Sequence, residues 1–248
     1  MILVLGGTAE ARQLAAALAA GEHPVITSLA GRVSHPRLPA GEVRIGGFGG
    51  PEALARWLTE YHITAVLDAT HPFAERISAS AVAACGAAGV PLLRLERPGW
   101  SARPGDRWTW VADLDEAAAS IGGLGSRVFL TTGRQGLASF ASISAAWFLV
   151  RCVEPPAPPL PPRCELLLDR GPYTVSGELA LIDQHRIDVL ITKDSGGALT
   201  EAKLDAARRR GLPVLVVRRP PRPEAPMVED VGGALHWCQS LSPPSLST

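Results

Sequence analysis

The chain is poor in lysine and carries no excess of charge of either sign. Only Lys193 and Lys203 are lysines among its 24 basic residues, and the other 22 are arginines. The formal net charge at pH 7 is zero, which argues against a general attraction to nucleic acid or to an anionic membrane. Anion binding must therefore come from the local placement of arginines.

The sequence also lacks a zinc-binding cysteine pattern and a long apolar run. None of its four cysteines stands in a C-x-x-C pair, so we predict free thiols and no metal site. The N-terminus lacks the basic start of a signal peptide, and no apolar run approaches the roughly 20 residues of a membrane span. These absences, with 46% apolar and 19% charged residues, predict a globular cytoplasmic protein.

Short apolar segments alternate with helical segments along the chain, beginning with a strand at Ile2–Leu5 and a helix at Ala9–Ala20. The apolar segments are continuous, which is typical of parallel strands covered on both faces. The second half repeats the pattern. We predict an α/β protein of two Rossmann-like parallel-sheet domains with a cleft between them. Residues 1–110 would be the cofactor-binding domain and 111–248 the substrate domain, with strands able to cross between the two.

Proline and glycine mark the segments outside these elements. Pro98–Arg107 is rich in Pro, Gly and Arg, and we interpret it as a linker or as a loop over a cleft. Residues 155–162 contain six prolines in eight positions, which predicts a stiff surface connection. We expect the tail after Cys238 to be frayed.

The first strand runs into a glycine-rich turn, "ILVLGGTAEAR". Gly6 and Gly7 let the backbone approach a phosphate closely, Thr8 can donate a hydroxyl hydrogen bond, and the following helix offers unpaired N–H groups. The spacing is not G-x-G-x-x-G, so a tight turn without a ligand is the alternative. Because the turn follows the first strand of a βαβ unit, we favour phosphate binding.

The second strand ends in "VITSLAGR", which contains no acidic residue. An acidic residue at this place accepts a hydrogen bond from the ribose 2′-hydroxyl of NAD, whereas an arginine accommodates the 2′-phosphate of NADP. Ser28 and Arg32 stand where a 2′-phosphate could be held. The sequence thus favours NADPH over NADH, although Arg32 could be an ordinary surface residue.

Two further loops of the first half follow strands. "GGFGG" at 46–50 allows close approach of the backbone, and "DATHPFA" at 68–74 places His71 and Phe73 at the end of the fourth strand. Ligands of open α/β sheets bind outside the carboxyl ends of the strands. We therefore expect His71 and Phe73 to line the crevice, with His71 either a proton donor or a structural histidine.

The second half carries polar groups at comparable places. "TTGRQG" at 131–136 puts Arg134 and Gln135 after a strand. Arg151 lies inside the apolar run "FLVRCVEPP", where its charge needs a partner. The residues leave two possibilities open, pairing with an acid of the protein or binding of an acidic ligand.

"DVLITKDSGG" at 188–197 raises the question why an arginine-rich chain has a lysine at the end of a strand. A lysine, unlike an arginine, can lose or share its proton when it is partly desolvated. Asp194 can hold its charge, and Gly196 leaves room beside it. We predict that Lys193 faces a ligand, the alternative being that its position is chance.

Seven motifs stand in the order found in one known family. They are "ILVLGGTAEAR", "SLAGR", "GGFGG", "DATHPFA", "TTGRQG", "RCVEPP" and "ITKDSGG". From about residue 1 to 238 the chain resembles the precorrin-6A reductases of cobalamin (vitamin B12) biosynthesis. The resemblance implies an oxidoreductase that uses NADPH to reduce a ring double bond of the tetrapyrrole precorrin-6A, giving precorrin-6B. It also implies handover of the macrocycle to neighbouring enzymes of the pathway.

The resemblance implies a role for each matching position. Lys193, Asp194 and His71 are the candidate catalytic residues. Those on the cofactor side are Gly6, Gly7, Thr8, Ser28, Arg32, Gly46, Gly47, Gly49 and Gly50. Those on the substrate side are Phe73, Arg134, Gln135, Ser195 and Gly196.

Three other functions are alternatives to this one. A short-chain reductase needs a Tyr-x-x-x-Lys pair, but the residues four places after Tyr61 and Tyr173 are Ala65 and Gly177. A nucleotide-binding regulatory module without catalysis leaves the second glycine-rich half unexplained. A cobalt-precorrin-6A reductase of the anaerobic route, using NADH, stays open because its macrocycle differs mainly by the central metal.

Overall fold

The computed structural model describes residues 1–31 and 38–241 and divides the chain into two compact units. The first unit contains residues 1–98 and the chain from residue 221 onward, and the second contains residues 99–220. Each unit has one six-stranded sheet, and every strand pair is parallel. The predicted α/β class with two parallel sheets is therefore confirmed.

The first sheet has the order β12-β5-β4-β1-β2-β3 and is covered on both faces. Side chains of α1 and α7 pack on Ile2 and Val4, and those of α2 and α3 pack on Leu3 and Leu5. The strand order reverses at β1, so the ligand crevice is expected outside the carboxyl ends of β1 and β4. The elements are β1 Ile2–Leu5, α1 Ala9–Ala20, β2 Val25–Leu29, β3 Glu42–Ile45, α2 Pro51–Glu60, β4 Ala65–Asp68, α3 Glu75–Ala88, β5 Leu92–Leu95, β12 Met227–Val228 and α7 Val231–Leu241.

The second sheet has the order β6-β11-β10-β7-β8-β9. Its order reverses between β7 and β10, which places the corresponding crevice at the carboxyl ends of these two strands. Phe129 and Leu190 of these strands are buried against Leu204 in one apolar cluster. The elements are β6 Arg107–Val111, α4 Leu114–Ala119, β7 Arg127–Leu130, β8 Trp147–Cys152, β9 Cys164–Leu168, α5 Val175–Gln184, β10 Val189–Lys193, α6 Ala202–Arg210 and β11 Pro213–Val217, with 3-10 turns at Ile121–Gly123, Leu137–Phe140 and Ala198–Thr200.

Local sequence explains where several helices begin and end. Thr8, Asp113 and Thr174 are N-cap residues whose side-chain oxygens accept a backbone N–H from the first turn of α1, α4 and α5. Gly89 and Gly211 end α3 and α6 in the left-handed conformation, which glycine adopts without strain.

The division of the chain differs from the predicted boundary at residue 110. That boundary would cut through β6, which pairs with β11 inside the second unit. The chain also returns to the first unit at residue 221, where Met227–Val228 pairs with β5. The prediction placed residues 221–248 with the substrate domain because a two-residue strand and one helix carry too little apolar pattern to be assigned to a sheet.

The edge strands β6 and β9 were missed in the sequence. The burial of β6 alternates along "RWTWV", and none of the five residues of β9 is buried. An edge strand is exposed on more of its surface, so it lacks the continuous apolar run that identified the central strands. The tail after Cys238 also differs from the prediction in part, because α7 continues to Leu241.

Candidate active site

The turn after β1 is shaped for close approach of a ligand to the backbone. A Cβ at Gly6 would lie 2.8 Å from Cγ2 of Thr27, so only glycine fits against β2. Gly7 has a φ of 115°, and a Cβ there would meet no atom within 4 Å. The space beside Gly7 and the first turn of α1 together form an arrangement that suits a phosphate group.

Thr8 is engaged differently from the prediction. Its buried hydroxyl donates to the carbonyl of Ala69 at 2.8 Å and accepts the N–H of Ala11 at 3.0 Å. The single hydroxyl proton is therefore directed to the protein and not toward a phosphate. Thr8 caps α1 and joins the turn after β1 to the loop after β4.

Ser28 and Arg44 lie side by side at the ends of β2 and β3. They are partners in the parallel register, and Nη1 of Arg44 lies 3.4 Å from Oγ of Ser28. Arg32, the other residue predicted to hold a 2′-phosphate, lies outside the described residues. Sequence reasoning missed Arg44, although an arginine two positions before the first glycine of the loop 46–50 was a signal for it.

The loop 46–50 folds around the Arg44 guanidinium. Nη1 donates to the carbonyl of Gly46 at 2.6 Å and Nη2 to that of Gly47 at 2.8 Å, while the ring centroid of Phe48 lies 3.8 Å from Cζ. Gly46, Gly49 and Gly50 have φ values of 120°, 89° and 113°, and a Cβ at Gly46 or Gly47 would meet no atom within 4 Å. The glycines thus supply turn geometry and open backbone, as a cofactor-binding loop requires.

Asp68 at the end of β4 belongs to a buried network of charges within the first unit. Its Oδ2 lies 3.7 Å from Nε of Arg94 and 3.4 Å from Nη2 of Arg222. Arg222 also pairs with Glu96 at 2.7 Å and donates to Thr70 at 3.1 Å and to Ser78. Arg222 thereby attaches the returning chain to the "DAT" motif, a role that sequence reasoning did not identify.

His71 and Phe73 lie in the loop that follows this network. The N–H of Phe73 donates to Nδ1 of His71 at 3.2 Å, and the two rings are 5.7 Å apart. Because Nδ1 accepts, a neutral His71 carries its proton on Nε2. Both side chains are half-buried, and the loop lies at the carboxyl end of β4, where the first sheet reverses its order.

In the second unit, Arg134 and Gln135 follow β7 at the corresponding reversal point. Gly133 and Gly136 on either side have φ values of 77° and 81°. Arg134 pairs with Glu154 at 3.2 Å, whereas Gln135 is exposed. The strand neighbouring β7 is β10, so the structure brings this loop and the "TKDSGG" loop to one edge of the second sheet.

Asp194 anchors the "TKDSGG" loop. Its Oδ1 accepts the N–H of Trp100 at 2.9 Å, and its Oδ2 lies 3.3 Å from Nε of Arg219. The residue is buried, and a Cβ at Gly99 would lie 2.5 Å from Oδ2. The carboxylate predicted to act in catalysis therefore has protein partners for both oxygens.

The neighbours of Asp194 in this loop are Lys193, Ser195 and Gly196. Lys193 is half-buried at the end of β10, and Gly196 is buried with a φ of 60°. Oγ of Ser195 lies 3.5 Å from Oγ1 of Thr200. The loop thus presents Lys193 at the carboxyl edge while its remaining residues shape the turn.

A buried charge cluster lies within the second unit and includes the other lysine. Arg151 pairs with Glu178 at 2.6 Å and stacks on Tyr173 at 3.7 Å, which favours the protein acid among the alternatives for Arg151. Lys203 donates from Nζ to the carbonyl of Thr200 at 2.7 Å. Burial, the main cause, and the charge of Arg151 lower the pKa of Lys203 to about 7, against the opposing effect of Glu178.

Within residues 1–31 and 38–241, no three His, Cys, Asp or Glu side chains are grouped to hold a metal ion, and the four cysteines are free. No helix in those ranges is long and apolar enough to cross a membrane.

Comparisons with known proteins agree with these motifs over nearly the whole chain. The family model described as "Precorrin-6x reductase CbiJ/CobK" matches residues 1–239. A precorrin-6A reductase of Rhodococcus erythropolis is 54% identical over 245 residues, which cover 97% of this chain and 98% of the relative. A solved structure named CobK precorrin-6A reductase superposes with a TM-score of 0.92 at 43% identity, covering 97% of this chain and 96% of that chain.

A cobalt-precorrin-6A reductase is a more distant relative. The enzyme of Salmonella typhimurium (strain LT2) is 32% identical over 238 residues, covering 88% of this chain and 87% of the relative. The chain is thus more similar to the relative named precorrin-6A reductase than to this one named cobalt-precorrin-6A reductase.

Proposed function

Because the chain belongs to the precorrin-6x reductase CbiJ/CobK family, we propose that it reduces precorrin-6A to precorrin-6B with NADPH. The observation that carries the proposal is the 54% identity to a precorrin-6A reductase over 97% of this chain and 98% of the relative. The lower identity of 32% to a cobalt-precorrin-6A reductase favours the metal-free macrocycle and hence the aerobic route.

The first unit fits the cofactor. The open backbone at Gly7 and the N-terminus of α1 would hold the pyrophosphate, and Gly46, Gly47, Gly49 and Gly50 would line the nicotinamide side. The segment "SLAGR" at the end of β2 contains no acid, and its residues Ser28 and Arg32 favour NADPH over NADH. When bound, the cofactor supplies the hydride, and the protein supplies position and orientation.

The loops at the carboxyl edge of the second sheet fit an anionic macrocycle. Lys193 and Arg134 carry positive charge there, which would attract the substrate's carboxylates. Gln135, Ser195 and Gly196 complete the surface of these loops. Asp194 acts by holding the loop through Trp100 and Arg219, so we assign it a positioning role.

Two residues are candidates for the proton that completes the reduction. Lys193 can give a proton when partly desolvated, and His71 carries one on Nε2 in its neutral form. His71 and Phe73 lie at the carboxyl edge of the first sheet, beside the turn that would hold the pyrophosphate.

Substitution of Lys193 tests the assignment of the second unit. Lys193→Ala should leave the Kd for NADPH unchanged and lower turnover of precorrin-6A, because the lysine acts on the macrocycle. Lys193→Arg keeps the charge but not the readily shared proton, so retained activity would assign an electrostatic role and lost activity a proton-transfer role. Loss of NADPH binding in Lys193→Ala would instead place the cofactor on the second unit.

The alternative of a nucleotide-binding module without catalysis is tested in the same assay. It predicts that NADPH binds to the wild-type protein and that no precorrin is reduced. The charged loop at 193–197 beside Arg134 argues against it, since a module that binds only a nucleotide would not need a second anion-binding edge.

A further inference from the structure

Arg44 combines three features that point to an anionic ligand. It lies on the edge strand β3, in register with Ser28 of β2, so its guanidinium reaches the carboxyl end of the second strand. This is the place at which dinucleotide-binding sheets read the adenosine ribose. The position normally taken there by an acid is filled by Ser28.

The guanidinium is held in one orientation before any ligand arrives. The backbone carbonyls of Gly46 and Gly47 accept hydrogen bonds from its Nη1 and Nη2 atoms. The ring of Phe48 stacks on the guanidinium, with the ring centroid 3.8 Å from Cζ. A planar fork fixed in this way loses little conformational entropy on binding a phosphate. The hydrogen bonds it makes to described residues use three of the five N–H donors of a guanidinium.

The charge of Arg44 also lacks an acidic partner in the described part of the chain. Among residues 1–31 and 38–241 it forms no ion pair, and burial lowers the pKa of its guanidinium below the ordinary value, with a smaller opposing effect of Tyr61. A half-buried cation with carbonyl, hydroxyl and aromatic neighbours gains more from an incoming phosphate than a solvated surface arginine does.

We infer that Arg44, together with Ser28, binds the 2′-phosphate of NADPH and is a main determinant of the preference for NADPH over NADH. The inference rests on the proposed function, and it adds a residue to the predicted pair Ser28 and Arg32. The 2′-phosphate would take the remaining donors of Arg44 and the hydroxyl of Ser28.

A purely structural role for Arg44 makes a different prediction. If it only tethers the loop 46–50 through Gly46 and Gly47, its loss should weaken NADPH and NADH alike, because both cofactors share that loop. If it binds the 2′-phosphate, only ligands that carry this group should be weakened.

The experiment measures the Kd values of NADPH, NADH and 2′,5′-ADP by calorimetry, without substrate. Arg44→Met keeps a long apolar chain over Phe48 and should raise the Kd for NADPH and for 2′,5′-ADP by about 10- to 100-fold, with the Kd for NADH unchanged. Arg44→Lys retains the positive charge but lacks the planar guanidinium. It provides a second test in case Arg44→Met fails to fold. Arg56→Met, an exposed arginine on α2, is the matched control, and Arg32→Ala is measured in parallel.

Each outcome separates the inference from the proposed function. Equal weakening of NADPH and NADH in Arg44→Met would show a loop tether and overturn the inference. An unchanged NADPH preference in Arg44→Met, with the preference lost in Arg32→Ala, would also overturn it and assign the 2′-phosphate to Arg32. A wild-type protein that bound neither cofactor would overturn the proposed function as well.

Discussion

Replacing Lys203 with methionine should remove part of the pH dependence of stability. Lys203 is 3% exposed, its Nζ donates to the carbonyl of Thr200 at 2.7 Å, and it lies 4.6 Å from the ring centroid of Trp100. Burial first and Arg151 second lower its pKa from 10.5 to about 7. The nearby Glu178 raises the pKa but does not offset these causes.

The sign and size follow from proton linkage. Below pH 7 the ammonium is charged in the folded and the unfolded chain, so the full cost of burying the charge is present. As the pH rises above 7 the folded protein loses this proton while the unfolded chain, with a pKa near 10.5, keeps it. The wild-type protein should therefore gain about 2 kcal/mol of unfolding free energy from this group between pH 7 and pH 9.

The assay is urea unfolding of wild type and Lys203→Met at pH 7 and pH 9. Tryptophan fluorescence is a suitable signal, since Trp100, Trp108, Trp110 and Trp147 belong to the second unit. The difference in unfolding free energy, wild type minus variant, should rise by about 2 kcal/mol over this range. The difference in unfolding free energy between wild type and Arg56→Met should be the same at pH 7 and pH 9, because a guanidinium keeps its charge at both pH values. If the unfolding free energies of wild type and Lys203→Met changed by the same amount between pH 7 and pH 9, the proposed cost of burying the Lys203 charge would be refuted.

Two further substitutions test the networks that hold the two edges. Arg222→Leu should lower the unfolding free energy by about 3 kcal/mol, since it leaves the buried carboxylate of Asp68 and the half-buried carboxylate of Glu96 without their shared partner; a loss below about 1 kcal/mol in urea unfolding would argue against this bridge. Asp194→Asn should reduce kcat with precorrin-6A by roughly tenfold while the pH profile of kcat keeps its shape, because the residue positions the loop. A changed pH profile would instead make Asp194 a proton-transfer group.

The central strands and the main loops could be predicted because their sequence signals are local. Each of β1, β4, β7 and β10 contains three or four consecutive apolar residues and leads into polar or glycine-rich residues, so fold class and candidate loops follow together. The edge strands β6 and β12 could not be identified in this way, since β6 "RWTWV" alternates in burial and β12 has only two residues.

The partners in the buried ion pairs were beyond sequence reasoning for a different reason. Arg222 lies 154 positions from Asp68 along the chain, and only the return of the chain to the first unit brings them together. Lys203 has the same residue type as Lys193, yet one is buried and the other half-buried. The sequence motif around Lys193 correctly marked a strand end, but no local pattern distinguished which partners Asp194 or Thr8 would have.

The most direct test of the proposed function is NADPH oxidation by the purified protein with metal-free precorrin-6A, with NADH and cobalt-precorrin-6A as parallel arms. We predict loss of NADPH absorbance together with a change in the macrocycle spectrum, faster than with NADH and faster than with the cobalt form. Binding of NADPH without turnover of either macrocycle would contradict the assignment and favour a nucleotide-binding module.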